Sequence, residues 1–227
     1  MQQLVVIGAG GFGRETVEAV RAANAGGPTW DVLGFLDDNP ELRGTDVEGI
    51  AVLGPISRVG DYPDSRVVVC TGHPGNYFAK RRIVQRLDLP EARYATVIHP
   101  AAVLSSRCRI GPGSVLLATV VATAAVDIGA HVAVMPGVVF THDDVVGPYA
   151  ILGAGARLAG RVRVGQGAYV GAGVLVREDR SIGDWALVGM GSVVTRDIPP
   201  GEVWAGVPAR FLRNAEVPGD IATARSG

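Results

Sequence analysis

Residues 127–164 read DIGAHVAVMPGVVFTHDDVVGPYAILGAGARLAGRVRV, and every sixth residue from Ile128 is large and apolar: Ile128, Val134, Phe140, Val146, Leu152, Leu158 and Val164. Extended outward, the same step runs back through Ala122, Leu116, Ile110 and Leu104 to Ile98, and forward through Val170, Val176, Ile182 and Val188 to Val194. Of these 17 positions 16 are Ile, Leu, Val or Phe, and no insertion breaks the register, so one unit is repeated throughout. Two residues before each position the side chain is small or apolar, as at Ala102, Cys108, Ser114, Val120, Val132, Ala150, Ala168 and Ser192; Asp144 and Arg180 are the exceptions. Two inward residues separated by one, inside a unit of six, describe a short strand and a turn rather than a helix.

A slower period lies over the first. Ile110-Gly111, Ile128-Gly129, Val146-Gly147, Val164-Gly165 and Ile182-Gly183 recur every 18 residues, so three strands complete one coil before the same face returns. The solution is a triangular prism whose inward residues stack from coil to coil and bury an axis that no single repeat could bury alone. Glycine after the aliphatic residue is expected to relax the corner, where positive φ costs it little. Leu117, Val121 and Met135 are left as apolar outward positions, which mark an interface between subunits.

The first 95 residues follow a different grammar. The apolar run Gln3 to Ile7 ends in Gly8-Ala9-Gly10-Gly11-Phe12-Gly13, and Arg14 to Ala23 continues at helical spacing with Val17, Val20 and Ala23 on one face. Further strands are expected at Val32–Leu36, before Asp37-Asp38, and at Arg66–Cys70, before Thr71-Gly72, with a helix over 76–87 that turns Phe78, Ile83 and Leu87 inward. Strands alternating with helices predict a small parallel α/β sheet. The division is therefore 1–95, an α/β half-Rossmann domain; 96–200, an all-β parallel β-helix; and 201–227, a closing segment and tail.

The glycine turn fits G-x-G-x-x-G between strand and helix, where backbone amides and the helix N-terminus hold a pyrophosphate, and an acid at the spacing of Asp37 and Asp38 can take a ribose. A nicotinamide enzyme would need two such halves, and only one fits in front of the repeats. The room suits a mononucleotide, such as that of a sugar donor. Lysine and arginine number 21 against 22 acids, so no basic field argues for nucleic acid or an anionic membrane. The longest uncharged stretch, 111–126, is too short to cross a bilayer. Two cysteines build no disulfide framework and the start Met1-Gln2-Gln3 lacks the basic flank of a signal peptide, which makes the cytoplasm the default location.

The array from Ile98 to Ile198, closed by Pro199-Pro200-Gly201 and Ala205-Gly206-Val207-Pro208-Ala209-Arg210, resembles the left-handed β-helix of the hexapeptide acyltransferases. Handedness follows from the resemblance; the general crossover preference would give the opposite hand. With the α/β domain in front, the chain resembles the bacterial acetyltransferases that N-acetylate nucleotide-linked amino sugars of the bacillosamine and perosamine type, or O-acetylate sialic acid. The resemblance implies acetyl-CoA as co-substrate, a nucleotide-linked 4-amino-4,6-dideoxy sugar as acceptor, no metal, and a homotrimer with active sites between subunits. It implies His142 as general base, in Thr141-His142-Asp143-Asp144, with Asp143 where relatives carry the longer Glu. It places the Gly160 N–H at the thioester carbonyl and Ile151, Gly160, Ala172 and Met190 along acetyl-CoA, with Arg210 a further candidate for a CoA phosphate. Gly10, Gly11, Phe12, Asp37, Asp38 and Gly72 stand where the family holds its nucleotide sugar, Phe12 where some relatives have His.

The chemistry asks for such a base, because a proton must leave the nucleophile as it attacks the thioester and imidazole titrates near operating pH. Cys70 and Cys108 have no adjacent His in sequence, so a thiolate route is the weaker one. His99 is expected to cap a turn, and His131 falls on a different face of the coil from His142. A three-histidine zinc spacing is not found. Sialic acid O-acetylation and a non-catalytic nucleotide-binding scaffold remain as alternatives.

Overall fold

The computed structural model describes residues 1–222. Its first part is a five-stranded sheet in which β1 (Gln2–Ile7), β2 (Trp30–Leu36), β3 (Asp46–Val47), β4 (Ile50–Gly54) and β5 (Arg66–Val69) lie in the order β3-β4-β2-β1-β5. All pairings are parallel except the β3–β4 hairpin, two short strands that the apolar pattern did not announce. Helix α1 (Gly11–Ala25) buries Val17 and Val20 against one side of the sheet, while α2 belongs to the opposite side. Helix α2 spans Ala79–Leu87, three residues shorter at its start than expected, because Asn76 and Ala79 donate to His73 and Asn76 carbonyls in a turn that aims Tyr77 and Phe78 at the prism.

From Val97 the chain winds as a left-handed β-helix of the acetyltransferase type. Its first face runs through Val97–Ile98, Val115–Leu116, Ala133–Val134, Ile151–Leu152, Tyr169–Val170 and Leu187–Val188, and the hairpin Glu202–Gly206 with Ala209–Asn214 extends it. The second face carries Val103–Leu104, Val121–Ala124, Val139–His142, Arg157–Leu158, Leu175–Val176 and Val193–Val194. The third carries Arg109–Ile110, Asp127–Ile128, Val145–Val146, Arg163–Val164 and Ser181–Ile182. From Val97 to Val194 every ladder is parallel with an offset of 18, as in Val134 with Leu152, Phe140 with Leu158 and Val146 with Val164; the closing hairpin joins at an offset of 16 and is itself antiparallel. Leu116, Phe140, Leu152, Leu158, Val170 and Ile182 share one axial core and are at most 1% exposed. A sealed core of this kind fixes register strongly, since a slip of one residue would turn the whole apolar set outward.

The glycines of the 18-residue period work differently from the expectation. Gly111, Gly129, Gly147, Gly165 and Gly183 have no left-handed φ; an added Cβ on each would lie 2.3–2.8 Å from backbone of the coil above. Close stacking, not conformation, selects them. The left-handed position comes two residues later, at Gly113, His131, Tyr149, Gly167 and Trp185, and three of those five carry large rings. The rings serve the junction between the two parts. His131 stacks on Tyr149 at 5.2 Å and meets Tyr94 edge-on at 4.6 Å, Trp185 packs on Phe78 at 5.5 Å, and the Tyr77 hydroxyl donates to the Trp185 carbonyl at 2.9 Å. Leu117 and Met135, expected to face another subunit, pack instead into the core beneath α1, with Leu117 only 3% exposed. Val121, on the second face, remains half-exposed.

Candidate active site

The structure divides the candidate residues among three places on the prism. One is a cleft of about 220 Å³ between the α/β part and the first face, lined by Gly11, Phe12, Thr71 and Gly72 on one side and Ile151 and Tyr169 on the other. The glycine turn opens onto it. Gly8 and Gly13 are packing positions: a Cβ would lie 2.7 Å from the Cys70 carbonyl oxygen at Gly8 and 2.0 Å from the Gly8 carbonyl oxygen at Gly13. Gly10 and Gly11 have open space above them, and Gly10 starts α1 with no side-chain cap. The first-turn amides of α1 are thus turned toward any anion that enters.

Asp37 and Asp38 separate. Asp37 closes the turn by accepting the Ala9 N–H at 2.8 Å and the Asn39 N–H at 2.8 Å. Asp38 accepts the Ile56 N–H at 2.9 Å and pairs with Arg86 of α2 at 2.9 Å, away from Gly10. Those contacts, more than offsetting the effect of burial, hold the Asp38 carboxyl below the usual range. Ile151 lines this cleft, with its Cδ1 2.7 Å from where a Cβ on Gly72 would stand, so the structure brings it to the nucleotide candidates and not to Ala172 and Met190. Beneath the cleft lies a residue the sequence did not single out. The Lys80 ammonium is fully buried, stands 5.0 Å from the centre of the Phe12 ring and donates to the His131 carbonyl at 3.2 Å. Burial pushes it down to about 8 and pushes His131 down to about 4. Only long-range packing places it there; beside Arg81 and Arg82 the α2 pattern marks this residue, the chain's one lysine, as a surface cation.

The second place is the edge between the second and third faces. His142 ends the strand Val139–His142, half-exposed, and its Nδ1 lies 2.9 Å from Asp143 Oδ2. Successive strand residues point to opposite sides, but Asp143 takes φ +62°, which breaks the alternation and swings its carboxylate beside the ring. Aspartate tolerates that conformation better than most residues, so the shorter acid still reaches the imidazole. A carboxylate only accepts hydrogen bonds, which assigns the proton to Nδ1 and leaves the Nε2 lone pair free. Nε2 stands over the next coil, where a Cβ on Gly160 would lie 2.3 Å from it. Arg161 donates to the His142 carbonyl at 2.9 Å, fixing the two coils at this point, while nothing among the described residues accepts the Gly160 N–H.

Ala172 and Met190 stand on a third location, the edge between the first and second faces, with Met190 79% exposed. Arg210 lies exposed in the closing hairpin, bonded to the Ala209 carbonyl. His99 Nδ1 accepts the Ala101 N–H, capping its turn as expected, and His73 does the same for Gly75. Burial raises the Cys70 thiol to about 11, so it is no thiolate. Among the described residues no three His, Cys, Asp or Glu side chains converge as a metal cage, and no helix is long and apolar enough to cross a membrane.

Residues 3–87 match the PglD N-terminal domain family. No curated protein matches the chain significantly. Among solved structures it is similar to the acetyltransferase domain of PglB from Neisseria gonorrhoeae in complex with acetyl coenzyme A, with 30% identity and a TM-score of 0.81 over 93% of this chain and 99% of that one. PerB from Caulobacter crescentus, in complex with CoA and GDP-perosamine, gives 29% identity and a TM-score of 0.82 over 93% and 98%. WeeI from Acinetobacter baumannii gives 27% and 0.78 over 93% and 100%. With nearly the whole gonococcal domain covered at that identity, the chain belongs to the left-handed β-helix family of sugar N-acetyltransferases that begin with a PglD N-terminal domain.

Proposed function

We propose that the protein transfers the acetyl group of acetyl-CoA to the amine of a nucleotide-linked 4-amino-4,6-dideoxy sugar, with His142 as general base. The observation that carries this reading is the His142–Asp143 pair at 2.9 Å with its free Nε2 over Gly160. The nucleotide enters the cleft at Gly10, Gly11 and Phe12, its phosphates against the first amides of α1. Nε2 takes the proton as the amine nitrogen attacks the thioester carbonyl carbon. The Gly160 N–H donates to the oxygen on which charge develops. Collapse breaks the C–S bond, and the imidazolium returns its proton to the departing CoA sulfur. Asp143 holds the tautomer and stabilises the ring while it is charged.

The same geometry supports assembly as a homotrimer. The cleft lies on the first face, whereas His142 stands on the edge opposite that face, so one chain cannot bring its own base to its own cleft. A second copy, seated edge to face in a closed ring, supplies the missing half. Val103 and Leu175 on the second face, 65% and 45% exposed, are suited to the contact, and Ala172 and Met190 edge the groove proposed for CoA.

The test is thiol release from acetyl-CoA in the presence of GDP- and UDP-linked 4-amino sugars. His142→Asn keeps the ring's size near enough to preserve the fold and should lower kcat by about 10²–10⁴-fold. Wild-type kcat in that variant sinks the base assignment.

A further inference from the structure

Asp144 breaks the rule of the repeat. Its ladder position is small or apolar in almost every other coil, yet here a carboxylate is 0% exposed inside the axial core. Burying such a group is opposed by desolvation and is sustained only by hydrogen bonds. Two are present: Thr141 N–H donates to Oδ2 at 2.9 Å and Val162 N–H donates to Oδ1 at 2.8 Å. Even so, burial pushes the carboxyl up to about 6. An alanine or valine would fill the ladder without that opposition.

The two donors identify what the acid does. At several apolar rungs of the other two corners the corresponding amide bonds within its own turn, as in Ala150 to Gly147, Ala156 to Gly153 and Ala168 to Gly165, at 3.1–3.4 Å. At Val162 the amide instead donates to a side chain 18 residues earlier. Thr141 precedes His142, and Val162 lies two residues beyond Gly160. One carboxylate therefore ties the turn that carries the imidazole to the turn that carries the Gly160 amide.

We propose that Asp144 is a positioning residue for acetyl transfer, a brace inside the core that sets the height of His142 over Gly160. The proposal rests on the reading of His142 as base. A built-in comparison exists at Ser114, whose Oγ accepts the Val132 N–H at 3.0 Å across the same 18-residue step but at a rung away from this edge.

The experiment measures kcat, both KM values and thermal unfolding for the full chain carrying Asp144→Ala, Asp144→Ser, Ser114→Ala or His142→Asn. Asp144→Ala fits the ladder and should lower kcat about 10–100-fold, the effect of misplacing a reacting group by a fraction of an ångström to an ångström, with both KM values within about twofold. Asp144→Ser, which can still accept one amide, should recover part of the loss. Ser114→Ala should lower the unfolding temperature comparably and leave kcat alone. A kcat within about threefold of wild type in Asp144→Ala, or indistinguishable from wild type in Asp144→Ser should the alanine variant not fold, overturns the proposal whatever happens to stability. Wild-type kcat in His142→Asn instead removes the base reading itself, so the two failures are told apart.

Discussion

Gly160→Ala isolates the geometry on which the chemistry depends. The new methyl would stand 2.3 Å from His142 Nε2 and 2.5 Å from Cε1, against a normal contact of about 3.5 Å, so the ring must retreat by roughly 1 Å. Retreat carries the imidazole off the Gly160 amide and strains its 2.9 Å contact with Asp143. A displacement of 1 Å costs on the order of 10²-fold in rate, which is about 2.7 kcal/mol of barrier. The fold has little to lose. Gly160 does not occupy the left-handed region, and the ring it would push is half-exposed and free to swing outward. Thiol-release kinetics should therefore show kcat reduced about 100-fold, while thermal unfolding moves by no more than a few degrees. Near-normal kcat with an intact fold would refute the claim that the base works from above this α-carbon.

The two glycines of the turn should behave in opposite ways. Gly13→Ala puts a methyl 2.0 Å from the Gly8 carbonyl oxygen and should cost about 1–3 kcal/mol of stability by lifting α1 from the sheet, read by denaturant unfolding. Gly10→Ala meets nothing within 4 Å; it should leave stability unchanged and raise KM for the nucleotide sugar several-fold. His131 makes the fold acid-sensitive. Burial, helped by Lys80, holds it at about 4 against 6.5 in an unfolded chain, so the unfolded chain takes up the proton first. The stability it supplies is complete above pH 6.5 and drains as pH falls toward 4, by roughly 3 kcal/mol. Asp144, raised to about 6, titrates in the same window with the opposite sign. The check is therefore the difference between wild type and His131→Phe, unfolded at pH 7 and pH 5: the wild type alone should carry the His131 slope.

What the sequence shows and what it hides divide along contact distance. The prism was legible because its rule is local and repeated: Phe140 and Leu158 announce their stacking by a spacing of 18, with nothing inserted between. Asp144 announced itself as a violation of that rule, although not the amides it would bind. The β3–β4 hairpin was missed because the two residues of β3 are too few to carry a period, and the five of β4 form an apolar run with no alternation to type it. Leu117 and Met135 look outward from the repeat, as the pattern says, but the residues that cover them belong to α1 about 100 positions earlier. Lys80 was invisible for the same reason: its burial is created jointly by Phe12, Cys70 and His131, which only the fold assembles. Asp37 and Asp38 read as a pair, yet adjacent residues at a strand end point to opposite sides, and they part company.

The corners at His131, Tyr149 and Trp185 bear on how this chain can be engineered. A bulky residue in the left-handed region is disfavoured by about 1–2 kcal/mol, and here the penalty recurs in three of four consecutive windings, Gly167 being the exception, offset by Tyr77, Phe78, Lys80, Arg81 and Tyr94, which pack on or bond to those corners. Cut loose from residues 1–95, the coiled portion would keep the penalty and lose the compensation. A truncated scaffold built from it therefore needs glycine or asparagine at those three sites before it can be expected to stand alone.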